Sequence, residues 1–319
     1  MYKDTESDNK NSIGSAIQYF RDTYHISQSK LCKGLCSVST LSRIEAGERD
    51  VDAFILETLL ERLGKIPNQY ELIVSDFDYE AYRRRTKIIK LIDNKAINEA
   101  NKLIKDYGEF AAGKGSPHIQ FILVCQANIN ELNGGYPETT IDILMEAISC
   151  TVPDFNTNVI SDYFLSNSEF NIILDILHKM ISLGMADRAS KILDQIINYL
   201  YWHNQMEQNT RIYPKVAVIG GSLLLDQNDL DRALQICNKG IEMNKSSRRI
   251  DYLGELNLIK GQVLEKKYKA LGLWETYDKE ECVSLYLKAY HLFSFFDDIT
   301  KAQEIRKHLQ EEYKWVDID

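Results

Sequence analysis

The chain has 319 residues, enough for two domains and a sizeable core, and carries a formal net charge of −9 from 47 Asp and Glu against 38 Lys and Arg. That acidity argues against a protein that coats nucleic acid without sequence preference. No apolar run approaches the ~20 residues of a membrane span, and the polar first eleven residues do not resemble a secretion signal, so a cytoplasmic protein without a membrane partner is expected.

Residues 1–11 are expected to form a disordered tail. Ile13, Ile17 and Phe20 then recur at helical spacing and open a small helical domain expected over residues 12–65. Ser27 can cap a second helix with apolar positions Leu31 and Leu35. Residues 34–37 supply a turn that ends on another cap donor, Ser37. The next helix, residues 38–46, buries Leu41 and Ile44 and stops at Gly47. Ser39, Thr40, Ser42 and Arg43 fall on its outer face, short hydrogen-bonding groups plus one guanidinium suited to base edges and phosphates in a major groove. Phe54, Leu56, Leu59, Leu60 and Leu63 mark a fourth helix. Residues 1–65 hold nine Lys and Arg against ten Asp and Glu, so almost all the negative charge lies downstream.

Ile66, Pro67 and Asn68 punctuate the chain, and residues 66–76 read as a linker with a connecting helix from Tyr70. Residues 77–319 show nearly unbroken helical periodicity and no strand signal, which makes the fold all-α. Asp187-Arg188-Ala189 followed by Ile192 and Ile197 is repeated by Asp231-Arg232-Ala233 followed by Ile236 and Ile241. Thr140, Ile143 and Ile148 keep the same frame. Turns are expected at Asn94-Lys95, Asn133-Gly134-Gly135, Gly184 and Gln227-Asn228, each between two helices of a pair. A fifth pair is expected over residues 250–296, and a last helix over 299–313 as a cap or dimer element. Such pairs stack into a right-handed solenoid whose concave wall suits an extended peptide or a partner helix.

Asn167, Asn171 and Asp175 recur every four residues in a segment otherwise rich in Phe, Ile and Leu. Gln126 with Asn130, and Asn257 with Lys260, repeat that character. Carboxamides so spaced can grip a peptide backbone, the alternative being a solvated helix face. Gly220-Gly221 costs a helix roughly 1 kcal/mol per residue, which points to close packing. The six cysteines read as free thiols, with a Cys32–Cys36 redox pair as the lesser alternative. The histidines are scattered, with neither an HExxH nor a Cys-Cys-His-His spacing, so no enzyme, metal or cofactor is expected. Gly113-Lys114-Gly115-Ser116 lacks the frame of a phosphate loop and reads as a solvent turn. Arg83, Arg84 and Arg85 read as a solvated face, with contact to DNA phosphates as the alternative.

The joint pattern of Ser27-Gln28, Leu41-Ser42-Arg43-Ile44-Glu45 and Gly47 resembles the Xre-type helix-turn-helix family. The resemblance implies a phosphate contact for Gln28, a bracing role for Glu45, and a groove-facing set of Ser37, Ser39, Thr40, Ser42 and Arg43. The tight turn over residues 34–37 is similar to that of the PlcR-type regulators. With the helix pairs that follow, including Leu253-Gly254-Glu255-Leu256 with Lys260-Gly261 and Tyr286-Leu287-Lys288-Ala289, the chain resembles the peptide-sensing RRNPP regulators of Gram-positive bacteria. That implies an N-terminal DNA-binding domain joined to a tetratricopeptide-like α-solenoid. It also implies a homodimer, an operator of double-stranded DNA, and control by a short signalling peptide in quorum sensing.

The resemblance has departures. Leu174 stands where the branch holds an asparagine, with Asn171 a turn earlier, Ile219 or Gly220 occupies the matching place in the fourth pair, and Glu255 replaces a glutamine. Lys95 matches a basic residue directed at the ligand. The expected peptide contacts are Lys95, Gln126, Asn130, Asn167, Asn171, Glu255, Asn257 and Lys260. A ligand-independent Xre-type regulator and a Rap-type interaction module are the competing readings.

Overall fold

The computed structural model describes residues 12–203 and 209–315, and every regular element among them is helical. The tail expected over residues 1–11 lies outside the described residues. The N-terminal helices are α1 (Ser12–Thr23), α2 (Gln28–Leu31), α3 (Val38–Glu45), α4 (Ala53–Arg62) and α5 (Gln69–Leu72). Their starts follow from capping chemistry. The Ser27, Ser37 and Asp52 side chains accept from the backbone N–H of Lys30, Thr40 and Phe54, each satisfying a donor that the first helical turn leaves unpaired. Ile17, Leu31, Leu41, Ile44, Leu59 and Leu63 are fully buried in one cluster, each worth roughly 1.5–3 kcal/mol in area removed from water. Cys32 is buried among them and Cys36 packs against them. Burial, with Cys32 close by, pushes the Cys36 thiol up to about 11, so both behave as small apolar groups.

Helix pairs follow, which with the N-terminal helices make an all-α, tetratricopeptide-like architecture. The first pair is α6 (Asp76–Asp93) and α7 (Ile97–Phe110), and the second is α8 (Ser116–Leu132) and α9 (Pro137–Thr151). In third place come α10 (Asn167–Ser182) and α11 (Ala186–Trp202), between which the chain divides, and the fourth pair is α12 (Asn209–Asp226) and α13 (Leu230–Ser247). The fifth is α14 (Leu253–Ala270) and α15 (Glu280–Phe295), followed by α16 (Ile299–Tyr313). The turns expected within the first four pairs are present, and each carries one left-handed residue: Lys95, Gly134, Gly184 and Asn228. The chain divides into two compact units, residues 12–185 with 201–203, and residues 186–200 with 209–315.

The second unit is held by small residues. A Cβ added at Gly240 would lie 2.9 Å from the Ala217 Cβ, and one at Gly220 would lie 2.7 Å from Leu193 Cδ1. Ala189 and Ala233, the repeated small positions, are fully buried. Gly220-Gly221 is therefore a packing device, as its helical context predicts. One carboxylate ties the last three helices together. Glu265 on α14 accepts from Lys269 at 2.5 Å, Tyr286 of α15 at 3.0 Å and Tyr313 of α16 at 3.1 Å, with His308 at 2.9 Å. Burial alone would raise its pKa, but the bonds to His308, Lys269 and Tyr286 outweigh that and hold the carboxyl at about 2.

Candidate nucleic-acid interface and ligand cleft

Helix α3 is amphipathic in a way that leaves one face free. Leu41, Ile44 and Glu45 point inward, while Val38, Ser39, Ser42 and Arg43 are exposed. Ser37 Oγ accepts from Thr40 N at 3.1 Å and lies 2.9 Å from both Ser39 Oγ and Thr40 Oγ1, which gathers three hydroxyls at the helix start. Arg49 Nη1 donates to Thr40 Oγ1 at 3.3 Å. Sequence reasoning passed over Arg49, although a guanidinium just after the Gly47 stop is well placed to flank the helix. Arg43 makes no ion pair or hydrogen bond from its side chain among the described residues, so its five donors are available. The exposed set offers donors to base edges and phosphates and, in Val38, an apolar contact for a thymine methyl.

Gln28 has a partner within the N-terminal helices. Its Nε2 donates to Glu45 Oε2 at 2.7 Å, and Arg21 grips the same carboxylate at 2.7 and 3.0 Å. The amide thus braces α2 against α3, because Glu45 is only 5% exposed and a buried carboxylate draws the nearest donors. Glu45 has the bracing position implied for it.

The feature that sequence reasoning missed is the junction between these helices and the first repeats. Arg62, at the end of α4, is 2% exposed and forms a two-pronged ion pair with Glu169 of α10, at 3.1 and 2.5 Å. The same guanidinium donates to the carbonyls of Leu31, Lys33 and Thr151 at 2.8–2.9 Å. Burial would raise the Glu169 pKa, but the adjacent Arg62 holds it below the usual carboxylate value. Gly34 sits directly on this centre at φ +77°, where a Cβ would come within 1.9 Å of the Thr151 oxygen. The turn preceding α3 therefore rests on the end of α9.

Polar contacts surround that centre. Ser116 Oγ donates to the Gly34 carbonyl at 2.6 Å. His118, 1% exposed, lies 3.1 Å from Asp52 through Nε2 and 2.5 Å from Tyr107 Oη through Nδ1. The expected solvent turn at residues 113–116 is exposed at Gly113 and Lys114, and only its end, Gly115 and Ser116, meets the junction. The arginine run keeps the solvated face expected of it at Arg83, with Lys87 and Lys90 also exposed, and turns inward only at Arg85. Arg83 and Arg84 pair with Glu80, and Arg85 stacks 4.0 Å above Phe54 of α4. Asn167 belongs to the junction as well, since its backbone N–H and Nδ2 both donate to Glu61 of α4 at 3.0 and 3.2 Å. Desolvation and the nearby Glu57 push the Glu61 carboxyl up to about 8.

The other expected ligand contacts divide. Lys95 is exposed in the α6–α7 turn, Gln126 is exposed on α8, and Asn171 is exposed one turn after Asn167. Asn130 instead braces the α8–α9 turn through Thr140 Oγ1 at 2.9 Å. In the second unit, Glu255 pairs with Lys301 of α16 at 3.6 Å. Asn257 and Lys260 lie on a different side of α14, where they line a cleft of about 570 Å³ between α13, α14 and α15. The structure does not bring these three side chains to one surface.

A helix-turn-helix family model matches residues 17–67. Bacillus thuringiensis PlcR in complex with the peptide PapR7 and DNA is similar in structure, at 19% identity and a TM-score of 0.57, over 92% of this chain and 98% of that one. The apo form of the same protein gives 17% identity and a TM-score of 0.56 with the same coverage. Apo ComR from Streptococcus vestibularis, a competence regulator, covers 95% of this chain and 98% of its own at 19% identity and a TM-score of 0.45. No curated protein matches the chain in sequence. Residues 17–67 form a helix-turn-helix domain, and the chain shares the fold of PlcR.

Proposed function

We propose that this chain is a transcriptional regulator, without enzymatic activity, that reads operator DNA through α3 and is controlled by a short peptide bound to its helix pairs. The observation that carries the reading is the buried Arg62 centre. Its guanidinium holds the carbonyls of Leu31 and Lys33, which lead into α3, together with the end of α9 and the start of α10. A ligand that shifts α9 or α10 therefore moves the recognition helix without touching it, which is the requirement for coupling between two sites. The match to a PlcR structure holding both a peptide and DNA supports the same assignment of roles.

In this reading Ser39, Thr40, Ser42 and Arg43 contact the major groove, Ser37 caps the helix that presents them, and Arg49 flanks them on the phosphates. The protein acts as a cytoplasmic homodimer, because two such helices must lie about 34 Å apart to read successive major-groove faces. Lys95, Gln126 and Asn171 remain the exposed candidates for peptide contact in the first unit.

The test is a gel shift with the full chain on the DNA upstream of its own reading frame, with and without synthetic peptides from neighbouring short frames that carry secretion signals. A retarded band whose intensity changes with one peptide supports the proposal. Retardation that no peptide alters favours a ligand-independent regulator. No retardation on any fragment, with capture of a response-regulator protein instead, would favour a Rap-type module.

A further inference from the structure

The cleft between α13, α14 and α15 has a definite chemistry. Its floor is apolar, through Leu253 and Leu285, and its edges carry Lys245, Lys260, Lys288 and His291. Lys245 and Lys288 form no ion pair among the described residues. Lys260 has only a 3.3 Å partner in the exposed Glu281, and its own side chain is 19% exposed. The one carboxylate in the lining, Glu242, is 3.1 Å from Lys239 outside the cleft. Asn257 adds a carboxamide to the cleft wall. It is only 4% exposed, and its one hydrogen bond is the 2.6 Å donation to Leu253 O of its own helix. Its amide oxygen makes no protein hydrogen bond and is not sealed from solvent, so it stays available to a group in the cleft.

We infer that this cleft binds an acidic peptide segment in which carboxylates alternate with aliphatic side chains. Carboxylates meet the lysine edges, aliphatic groups cover the leucine floor, and Asn257 bonds the peptide backbone. The volume falls within the roughly 300–1,000 Å³ range of ligand pockets. Its cations are ammonium groups with no arginine fork and no glycine-rich loop, which favours scattered carboxylates over a phosphate cluster. The inference rests on the peptide-control reading for its biological meaning, but not for its chemistry.

The test uses the full chain and a fluorescein-labelled hexapeptide of alternating glutamate and leucine, with a glutamine-for-glutamate version as control, both followed by fluorescence anisotropy. The acidic peptide is expected to bind about tenfold tighter than the control at low salt, with the advantage shrinking as salt screens the lysines. Lys245→Glu with Lys288→Glu should remove that advantage. Both positions are exposed, so thermal unfolding should stay unchanged. Asn257→Ala should weaken both peptides several-fold. Equal binding of the two peptides, or full retention by the double lysine variant, overturns the inference. Gel shifts with the same proteins separate the two readings. A peptide that alters DNA binding equally in wild type and the double variant leaves control standing and removes this cleft as its site. Charge-dependent binding here with no effect of any peptide on DNA keeps the cleft and removes the control.

Discussion

The Arg62 junction and the contact of α12 with α13 are built on opposite principles. The junction is stitched by buried polar groups, one guanidinium serving a carboxylate and three carbonyls, with His118, Asp52 and Tyr107 beside it. Where α12 meets α13, glycines and alanines let the helices close on one another, whereas α14, α15 and α16 are again tied by a buried carboxylate, Glu265. Hydrogen bonds have narrow geometry, so the junction has few alternative arrangements and passes a displacement on. Apolar contact is non-directional, so the α12–α13 contact tolerates small shifts that the junction does not.

The largest expected effect breaks the junction. Arg62→Ala leaves Glu169 buried without its cation and should destabilise the chain by about 3–5 kcal/mol, read from the denaturant midpoint. Replacing both Arg62 and Glu169 by methionine should recover most of that loss, because the uncompensated charge disappears with the pair. A midpoint unchanged by the single substitution would remove the junction as a structural lock. On the other side of the comparison, Gly240→Val forces a branched side chain into a gap already at 2.9 Å and should cost about 1–3 kcal/mol. Its effect is expected to spread over the packing of α12, α13 and α14, visible as faster amide exchange there.

Arg43→Ala sharpens the contrast between an engaged arginine and a free one. Stability should not change, while operator affinity falls by about 1–3 kcal/mol if the guanidinium reads a base. Unaltered affinity in a titrated gel shift would take Arg43 off the interface.

The smallest effect is a pH dependence at Glu61. Its folded pKa, about 8, stands above the unfolded carboxylate value, so the folded chain holds the extra proton. The contribution is fully present below the unfolded pKa and is lost as pH rises toward and through 8. Glu61→Gln should flatten that slope between pH 6 and 9 in thermal melts, and an unchanged slope would place the titration elsewhere.

Much of the fold was legible because it is local. Caps at Ser27 and Ser37, left-handed turns at Lys95 and Asn228, and the small residues at Ala189 and Ala233 are written within a few positions of the helices they shape. Arg62 and Glu169 lie 107 positions apart, and no periodicity announces a polar pair that only packing brings together. Asn167 looked like a ligand contact for that reason, its partner Glu61 being equally remote. Glu255 and Asn257 were a different matter. Residues two apart on a helix point roughly 200° apart, so their assignment to one wall conflicted with the helix itself.

Helix α3 keeps its interior duties and its outward side chains on separate residues. Leu41, Ile44 and Glu45 anchor it, while Ser39, Ser42 and Arg43 touch little of the protein. Substitutions on the outer face can therefore accumulate singly without unfolding the chain, and, on the proposed reading of α3 as the DNA contact, they would change the sequence that is read while leaving the helix pairs intact.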